Sequence, residues 1–176
     1  MIISVEKAKS LVDLNGWTDE KIEMKLKGIE QSIRSYTNNN FQNRECRRTA
    51  DIVGGLFVVE ALTPFEAGDT VQISESGING GVYTVISAES STFAVDAPVK
   101  DENDVLVTLI EYPADVVACC VNLLEWEVNH RSKVGVQSET LSRHSVTYFN
   151  QDNANQVMGY PASLLGCLKA YRKARF

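Results

Sequence analysis

The first third of the chain carries a helical repeat of apolar positions. Its five large apolar residues recur at steps of four, three, four and three: Ile22, Leu26, Ile29, Ile33 and Tyr36. This is the spacing of one buried face of an α-helix. Thr18 can cap the start of this helix, and the run at 37–40, Thr-Asn-Asn-Asn, favours turns over helix interiors. We therefore predict a helix from Thr18 to about residue 37, preceded by a short helix that Ser4 caps.

The middle third changes to short runs of β-branched and aromatic residues. The five runs are 56–60, 70–73, 81–86, 92–95 and 105–110. Turn signals such as Thr63-Pro64, Asn79-Gly80 and Ala97-Pro98 separate them. Short strands at this spacing predict a small antiparallel barrel or sandwich.

The last third returns to a helical pattern. Pro113 can open a helix, because the N–H that it lacks is not needed in a first turn. A final helix is predicted after Tyr160-Pro161, and its apolar face is Leu164, Leu168 and Tyr171. Between the two helices, residues 134–157 are irregular and polar, although 145–149 could form a strand.

Charge divides the chain at the same places as the hydrophobic pattern. Residues 1–50 carry nine Lys/Arg and seven Asp/Glu, residues 51–112 one and eleven, and residues 113–176 seven and five. A segment of net −10 thus lies between two segments of net +2. We predict an α+β fold, mainly an antiparallel helical bundle of about four helices formed by 1–50 and 113–176. A small acidic antiparallel β-barrel or sandwich, 51–112, would be inserted between helices 2 and 3.

Common enzyme and cofactor motifs are missing from the sequence. It has no P-loop, no G-x-G-x-x-G, no H-E-x-x-H and no G-x-S-x-G, and its only histidines are His130 and His144. Its four cysteines include no C-x-x-C pair, and the adjacent Cys119-Cys120 lie inside the apolar helical pattern that follows Pro113, which favours buried thiols over metal or redox chemistry for these two. We expect no catalytic residue, no metal and no cofactor.

The sequence also bears on location. No stretch of about 18 apolar residues could span a membrane, and the N-terminus lacks the pattern of a signal peptide. We therefore expect a protein that stays in the cytoplasm where it is made and has no membrane partner.

Two basic clusters stand out against the acidic balance of the chain. Arg44, Arg47 and Arg48 form one, and residues 169–175 form the other. A formal net charge of −6 argues against a dedicated DNA-binding protein. Clusters of both signs fit docking onto charged protein neighbours better, where charge sets orientation and association rate. A solvated helix end is the alternative for the C-terminal cluster.

Three stretches of the sequence resemble the head–tail connector (head-completion, or adaptor) proteins of long-tailed bacteriophages and related prophages. They are the second helix running into "SYTNNN", the stretch "GVQSETLSRHSVTY" at 135–148, and the C-terminal segment from "GYP" to "AYRKARF". Together they cover about 55 of the 176 residues. The middle stretch is the most specific of the three. Smaller members of the family lack the β-module, so the resemblance assigns that module no role.

The resemblance implies a structural virion protein of the head–tail neck, made in the cytoplasm of the bacterial host. Such connectors form a ring, usually of twelve copies, under the portal protein after DNA packaging. They extend the DNA channel, through which DNA passes without specific binding, and they present a platform to the stopper or tail-completion protein. The acidic module could face the channel or the outer rim. The main alternative is a non-enzymatic binding module whose β-domain recognises a ligand or host protein. An exposed aromatic cluster would favour this alternative, and its candidates are Phe57, Phe65, Tyr83 and Phe93. Four aromatic residues in a small barrel more often form its core, which is the interpretation we prefer.

Two sets of residues are candidates for contacts in such a ring. We expect residues 137–148 to dock as an extended segment on the adjacent copy, because irregular polar segments often become ordered on binding. The intersubunit candidates are Gln137, Ser138, Glu139, Arg143, His144 and Tyr148. The candidates for docking onto the portal are Lys169, Arg172, Lys173 and Arg175.

Overall fold

The computed structural model describes residues 1–131, 138–141, 144–147 and 156–174, with only the backbone described in the second and third ranges. Contacts divide the chain into two compact units. One combines Met1–Asn39 with Pro113–Phe176, and the other is Asn40–Tyr112. We call them the helical unit and the barrel unit.

In chain order the elements are α1 (Val5–Leu11), α2 (Asp19–Thr37), β1 (Gln42–Val53), β2 (Leu56–Val58), β3 (Thr70–Ser74), β4 (Gly81–Ala88), β5 (Thr92–Val95), β6 (Glu102–Ile110) and α3 (Ala114–Asn129). The short hairpin strands β7 (Ser138–Leu141), β8 (His144–Thr147), β9 (Gln156–Val157) and β10 (Tyr160–Pro161) follow. A 3-10 helix, Ala162–Tyr171, comes last. None of the helices in the described ranges combines the length and apolar composition that a bilayer crossing requires.

Local sequence signals explain the helical unit. Ser4 and Thr18 accept hydrogen bonds from backbone N–H groups three residues ahead, which confirms both predicted N-caps. The predicted apolar stripe of α2 is buried from Ile22 to Ile33, and α2, α3 and the 3-10 helix pack against one another. Burying each such isoleucine or leucine contributes about 1.5–3 kcal/mol, so this stripe sets the position of α2.

The barrel unit is a closed antiparallel barrel with strand order β1-β2-β5-β4-β3-β6. Its core contains Phe57, Phe93 and Phe65, which are all fully buried. The rings of Phe57 and Phe93 stack with their centroids 4.6 Å apart, and Phe65 meets Phe93 edge-on at 5.1 Å. Such aromatic pairs add to the stabilisation from burial.

The predicted fold class is wrong. The prediction made the chain mainly a helical bundle with a small barrel or sandwich inserted into it. In the structure the six strands β1–β6 form a closed barrel that is complete before α3 begins. This barrel is a main component of the fold and not a small insert in a helical bundle.

Two elements differ from the prediction, and the first of them accounts for the wrong fold class. The first strand, β1, was missed because its sequence QNRECRRTADIV is mostly polar, and only Ala50 and Ile52 in it are buried. The last helix was predicted as an α-helix but winds as a 3-10 helix. Its buried residues Leu165 and Leu168 are three apart, which matches the 3-10 repeat, and Gly166 between them disfavours α-helix.

Candidate functional site

The C-terminal end of α2 is shaped by its polar residues. Asn38 takes the left-handed conformation, with φ of 48°, and its backbone N–H donates to the Arg34 carbonyl oxygen. The Thr37 hydroxyl donates to the Ile33 carbonyl oxygen at 2.7 Å. Asparagine tolerates this conformation better than most residues, so the run that predicted the end of the helix also turns the chain there.

The same residues hold the end of the chain. The side-chain amides of Asn38 and Asn39 donate to the carbonyl oxygens of Ala174 and Tyr171, at 2.8 and 3.3 Å. The backbone N–H of Lys173 donates to the Thr37 carbonyl oxygen at 2.8 Å. We call this arrangement of residues 37–39 with residues 171–174 the C-terminal clasp.

A tyrosine ties the clasp to the start of α3. The hydroxyl of Tyr171 lies 2.7 and 2.8 Å from the two carboxylate oxygens of Asp115, to which it donates. This hydrogen bond raises the pKa of Tyr171, because the carboxylate stabilises the protonated phenol. The clasp therefore contacts both α2 and α3.

Three of the predicted portal-docking cations lie in the clasp or next to it. Lys169, Arg172 and Lys173 are exposed at the end of the 3-10 helix. The Arg172 guanidinium lies 5.2 Å from the centroid of the Tyr36 ring, within range of a cation–π interaction. Arg175 lies outside the described residues.

Three of the six predicted intersubunit candidates, Ser138, Glu139 and His144, lie on a pair of antiparallel strands. Strand β7 contains Ser138 and Glu139, and β8 begins at His144. The register pairs Ser138 with Thr147 and Leu141 with His144. Only one strand was predicted in this stretch, at 145–149, so β7 is new. Gln137, Arg143 and Tyr148 lie outside the described residues.

Sequence reasoning missed a buried ionic cluster around Glu127. The side chain of Glu127 is 2% exposed and accepts hydrogen bonds from Lys25 Nζ at 2.9 Å, from Tyr160 Oη at 2.8 Å and from the Arg131 guanidinium. Arg131 also lies over the rings of Trp126 and Tyr160, at 4.7 and 5.1 Å. The cluster joins α2, α3 and β10.

The chemistry of this cluster favours a charged carboxylate. Burial alone would raise the pKa of Glu127, but hydrogen bonds from Arg131, Lys25 and Tyr160 outweigh it and lower the pKa to about 2. Burial and the bond to Glu127 raise the pKa of Tyr160, so its hydroxyl stays a donor. The sequence contains a signal for this cluster. Glu127 is four residues after the buried Leu123 on α3, which predicts a buried carboxylate, and four residues before Arg131, which predicts an ion pair.

The cysteines behave as the sequence predicts for α3. Cys119 and Cys120 are buried, whereas Cys167 is exposed. Burial raises the pKa of the Cys120 thiol to about 12 and that of Cys119 further. In the part of the chain that the structure describes, no three His, Cys, Asp or Glu side chains form a group that could hold a metal ion.

The aromatic residues considered for a ligand surface mostly lie inside the barrel. Phe57, Phe65 and Phe93 are buried in its core. Tyr83 is half-buried and its hydroxyl donates to the Asn79 carbonyl oxygen at 3.1 Å. These four residues therefore do not form an exposed aromatic cluster.

Comparison of the sequence with protein-family models and with curated proteins gives no match. The site is thus defined by its geometry: a main-chain clasp that carries exposed cations, and a separate buried ionic cluster in the same unit.

Proposed function

We propose that this chain is a structural protein of the head–tail connector class. In this proposal copies of the chain form a ring at the portal vertex of a tailed bacteriophage, join head to tail and extend the DNA channel. The protein catalyses no reaction and takes no cofactor. Its partners are other copies of itself, the portal protein and a stopper or tail-completion protein.

The observation that carries the proposal is the C-terminal clasp. Two of the three stretches that resemble connectors are far apart in the sequence, yet Asn38 and Asn39 hydrogen-bond to the main chain at 171–174. The resemblance depends on both stretches, and it is better supported because the two stretches contact each other in the clasp. The clasp therefore supports the comparison with connectors more strongly than either helix does.

In this proposal, exposed cations in and next to the clasp serve docking. Lys169 and Lys173 are exposed, and neither takes part in a described ion pair. Cations placed in this way favour an acidic protein surface and raise the rate and orientation of association. In our proposal that surface belongs to the portal protein.

Ring formation needs two different surfaces on each copy, because head-to-tail contacts are heterologous. We propose the β7–β8 hairpin as one of them. A two-stranded hairpin is marginally stable by itself, so docking on a neighbour would stabilise it. The acidic segment 51–112 would limit attraction to DNA phosphates, because each cation contact adds affinity.

The direct test is electron microscopy of particles from cells carrying the phage genome that encodes this chain. We expect deletion of its gene to give packaged heads without tails, and a Lys169→Glu/Lys173→Glu variant to give the same defect. A matched control is Lys7→Glu/Lys100→Glu, which reverses two exposed cations that are outside the clasp and take part in no described ion pair. Intact tailed particles after deletion of the gene would overturn the proposal.

A further inference from the structure

The barrel is closed by a very short strand. Strand β2 pairs with β1 only between Leu56–Val58 and Asp51–Val53. On its opposite edge β1 continues to pair with β6 back to Gln42. Within the described chain, no strand pairs with residues 47–50 on the β2 side. A length of strand edge is therefore left without a strand partner in a fold that normally has no such edge, although the Arg47 carbonyl oxygen accepts a hydrogen bond from the Arg48 guanidinium at 2.8 Å.

The chain beyond β2 leaves β1 but stays with β5. The Val59 N–H donates to the Ser91 carbonyl oxygen at 2.9 Å, which continues the β2–β5 register. The β1–β2 register would place Val59 opposite Ala50, yet the two do not pair. A groove of about 430 Å³ lies there instead, between residues 47–50 and residues 58–61.

The groove has opposite charges at its two ends. Arg47 and Arg48 line it at one end of the open edge, Asp51 and Asp104 line the other end, and Glu60 lies on the facing wall. The Asp104 N–H donates to Asp51 Oδ1 at 2.9 Å, which fixes the acidic end. An antiparallel strand on β1 would start at the acidic end and finish at the basic end.

An apolar surface continues from the groove onto the hairpin of β1 and β2. Val53 is 57% exposed and its cross-strand partner Leu56 is 46% exposed. Val58, which lines the groove, is 39% exposed. Exposed β-branched and leucine side chains beside an open strand edge are the features that strand addition uses.

We infer that this groove binds an extended segment of a partner protein, which adds to β1 as an antiparallel strand of about four residues, or about 13 Å. The open main-chain edge selects another main chain. The charges select a segment with a basic residue near its N-terminal end and an acidic residue near its C-terminal end. This inference concerns the barrel unit and is independent of the proposed function.

Two synthetic peptides test the charge order. Acetylated and amidated Lys-Val-Thr-Val-Thr-Glu matches the groove, and Glu-Val-Thr-Val-Thr-Lys reverses it. Binding to the full chain is measured by NMR of the backbone amides at 47–50 and 59–61. We expect the matched peptide to bind at least tenfold more tightly than the reversed one, because only the first pairs its charges with both ends of the groove.

Two variants test the location. Ala61→Trp should fill the groove and weaken binding of the matched peptide at least tenfold. Ala67→Trp, at an exposed turn outside the groove, should leave it unchanged. Thermal unfolding of both variants checks that the barrel is intact. Equal binding of the two peptides, no binding of either, or full binding by a folded Ala61→Trp protein would overturn the inference. Loss of self-association in Ala61→Trp without peptide binding would also overturn it, in favour of a second copy.

Discussion

Replacing Glu127 by glutamine should weaken the helical unit and flatten the dependence of its stability on pH. Glutamine keeps the shape of the side chain but removes the charge that Lys25, Arg131 and Tyr160 all bind. The two cations then lose their common partner inside the packed helices. Removing one member of a buried ionic cluster is costly, because the charges that remain are poorly compensated.

The size of the effect follows from the pKa. The difference between about 2 in the folded chain and the ordinary value of 4.5 corresponds to about 3 kcal/mol, since one pKa unit is worth about 1.4 kcal/mol. Lys25 and Arg131 keep 34% and 38% of their side chains exposed. Water therefore screens the cluster, and we expect a loss of about 2 kcal/mol at pH 7.

The sign of the pH dependence is fixed by the lowered pKa. The folded state holds the carboxylate charged more strongly than the unfolded state does. The stabilisation is therefore fully present above about pH 4.5 and is lost as the pH falls toward 2. The glutamine variant has no such carboxylate, so this part of the acid destabilisation should disappear from it.

Urea unfolding followed by tryptophan fluorescence measures this directly. Both tryptophans, Trp17 and Trp126, lie in the helical unit. The matched control is Glu125→Gln, on the same helix but exposed. The reasoning is refuted if Glu127→Gln stays within about 0.5 kcal/mol of the native chain at pH 7, the scatter expected of a surface substitution. An unchanged loss of stability between pH 5 and pH 3 would refute it equally.

Two further predictions follow from burial. Phe57→Ala should lower the free energy of unfolding of the barrel by about 3–4 kcal/mol, because it removes a ring stacked on Phe93 and leaves a cavity. Val58→Ala, at an exposed position, should lower it little. Hydrogen exchange of the barrel amides measures both changes. A large cost for Val58→Ala or a small one for Phe57→Ala would contradict the packing. Iodoacetamide should modify Cys167 in the folded chain but reach Cys119 and Cys120 only after denaturation, because burial shields these two thiols and raises their pKa. Peptide mass spectrometry locates the label. Labelling of Cys120 in the folded chain would contradict this prediction.

Features that depend on neighbouring residues were predictable from the sequence. The apolar stripe of α2, its Thr18 cap and its end at Thr37 all follow from residues within one or two helical turns. The burial of Cys119 and Cys120 follows from their place in the apolar pattern of α3. Each of these signals is read over a few consecutive residues.

Features that depend on distant partners were not predictable in the same way. Strand β1 pairs with β6, about sixty residues later, and its side chains on that stretch are largely polar. Its strand conformation therefore follows from main-chain pairing and not from its own hydrophobic pattern. Because β1 was missed, the prediction had a five-stranded module where the structure has a closed six-stranded barrel. The predicted fold class was wrong as a result.

The candidate site also combines features that the sequence predicts with features that depend on distant partners. The cations at 169–173 were visible in the sequence, but the clasp that positions them was not, because Asn38 and Asn39 lie more than 130 positions from their partners. The asparagine run was interpreted only as the end of a helix. Its side-chain amides serve a second purpose, since they also bind the main chain at the end of the protein.

The hydrogen bonds of the clasp fix the path of the C-terminal segment independently of the charges on its side chains. Three hydrogen bonds between residues 37–39 and residues 171–174 use main-chain atoms of the C-terminal segment: the carbonyl oxygens of Tyr171 and Ala174 and the N–H of Lys173. Main-chain hydrogen bonds do not depend on which side chains the segment carries. Lys169 and Lys173 can therefore change without altering the fold. Reversing their charge therefore tests docking alone. If the Lys169→Glu/Lys173→Glu chain folds but gives particles without tails, these two cations act in recognition of the docking partner.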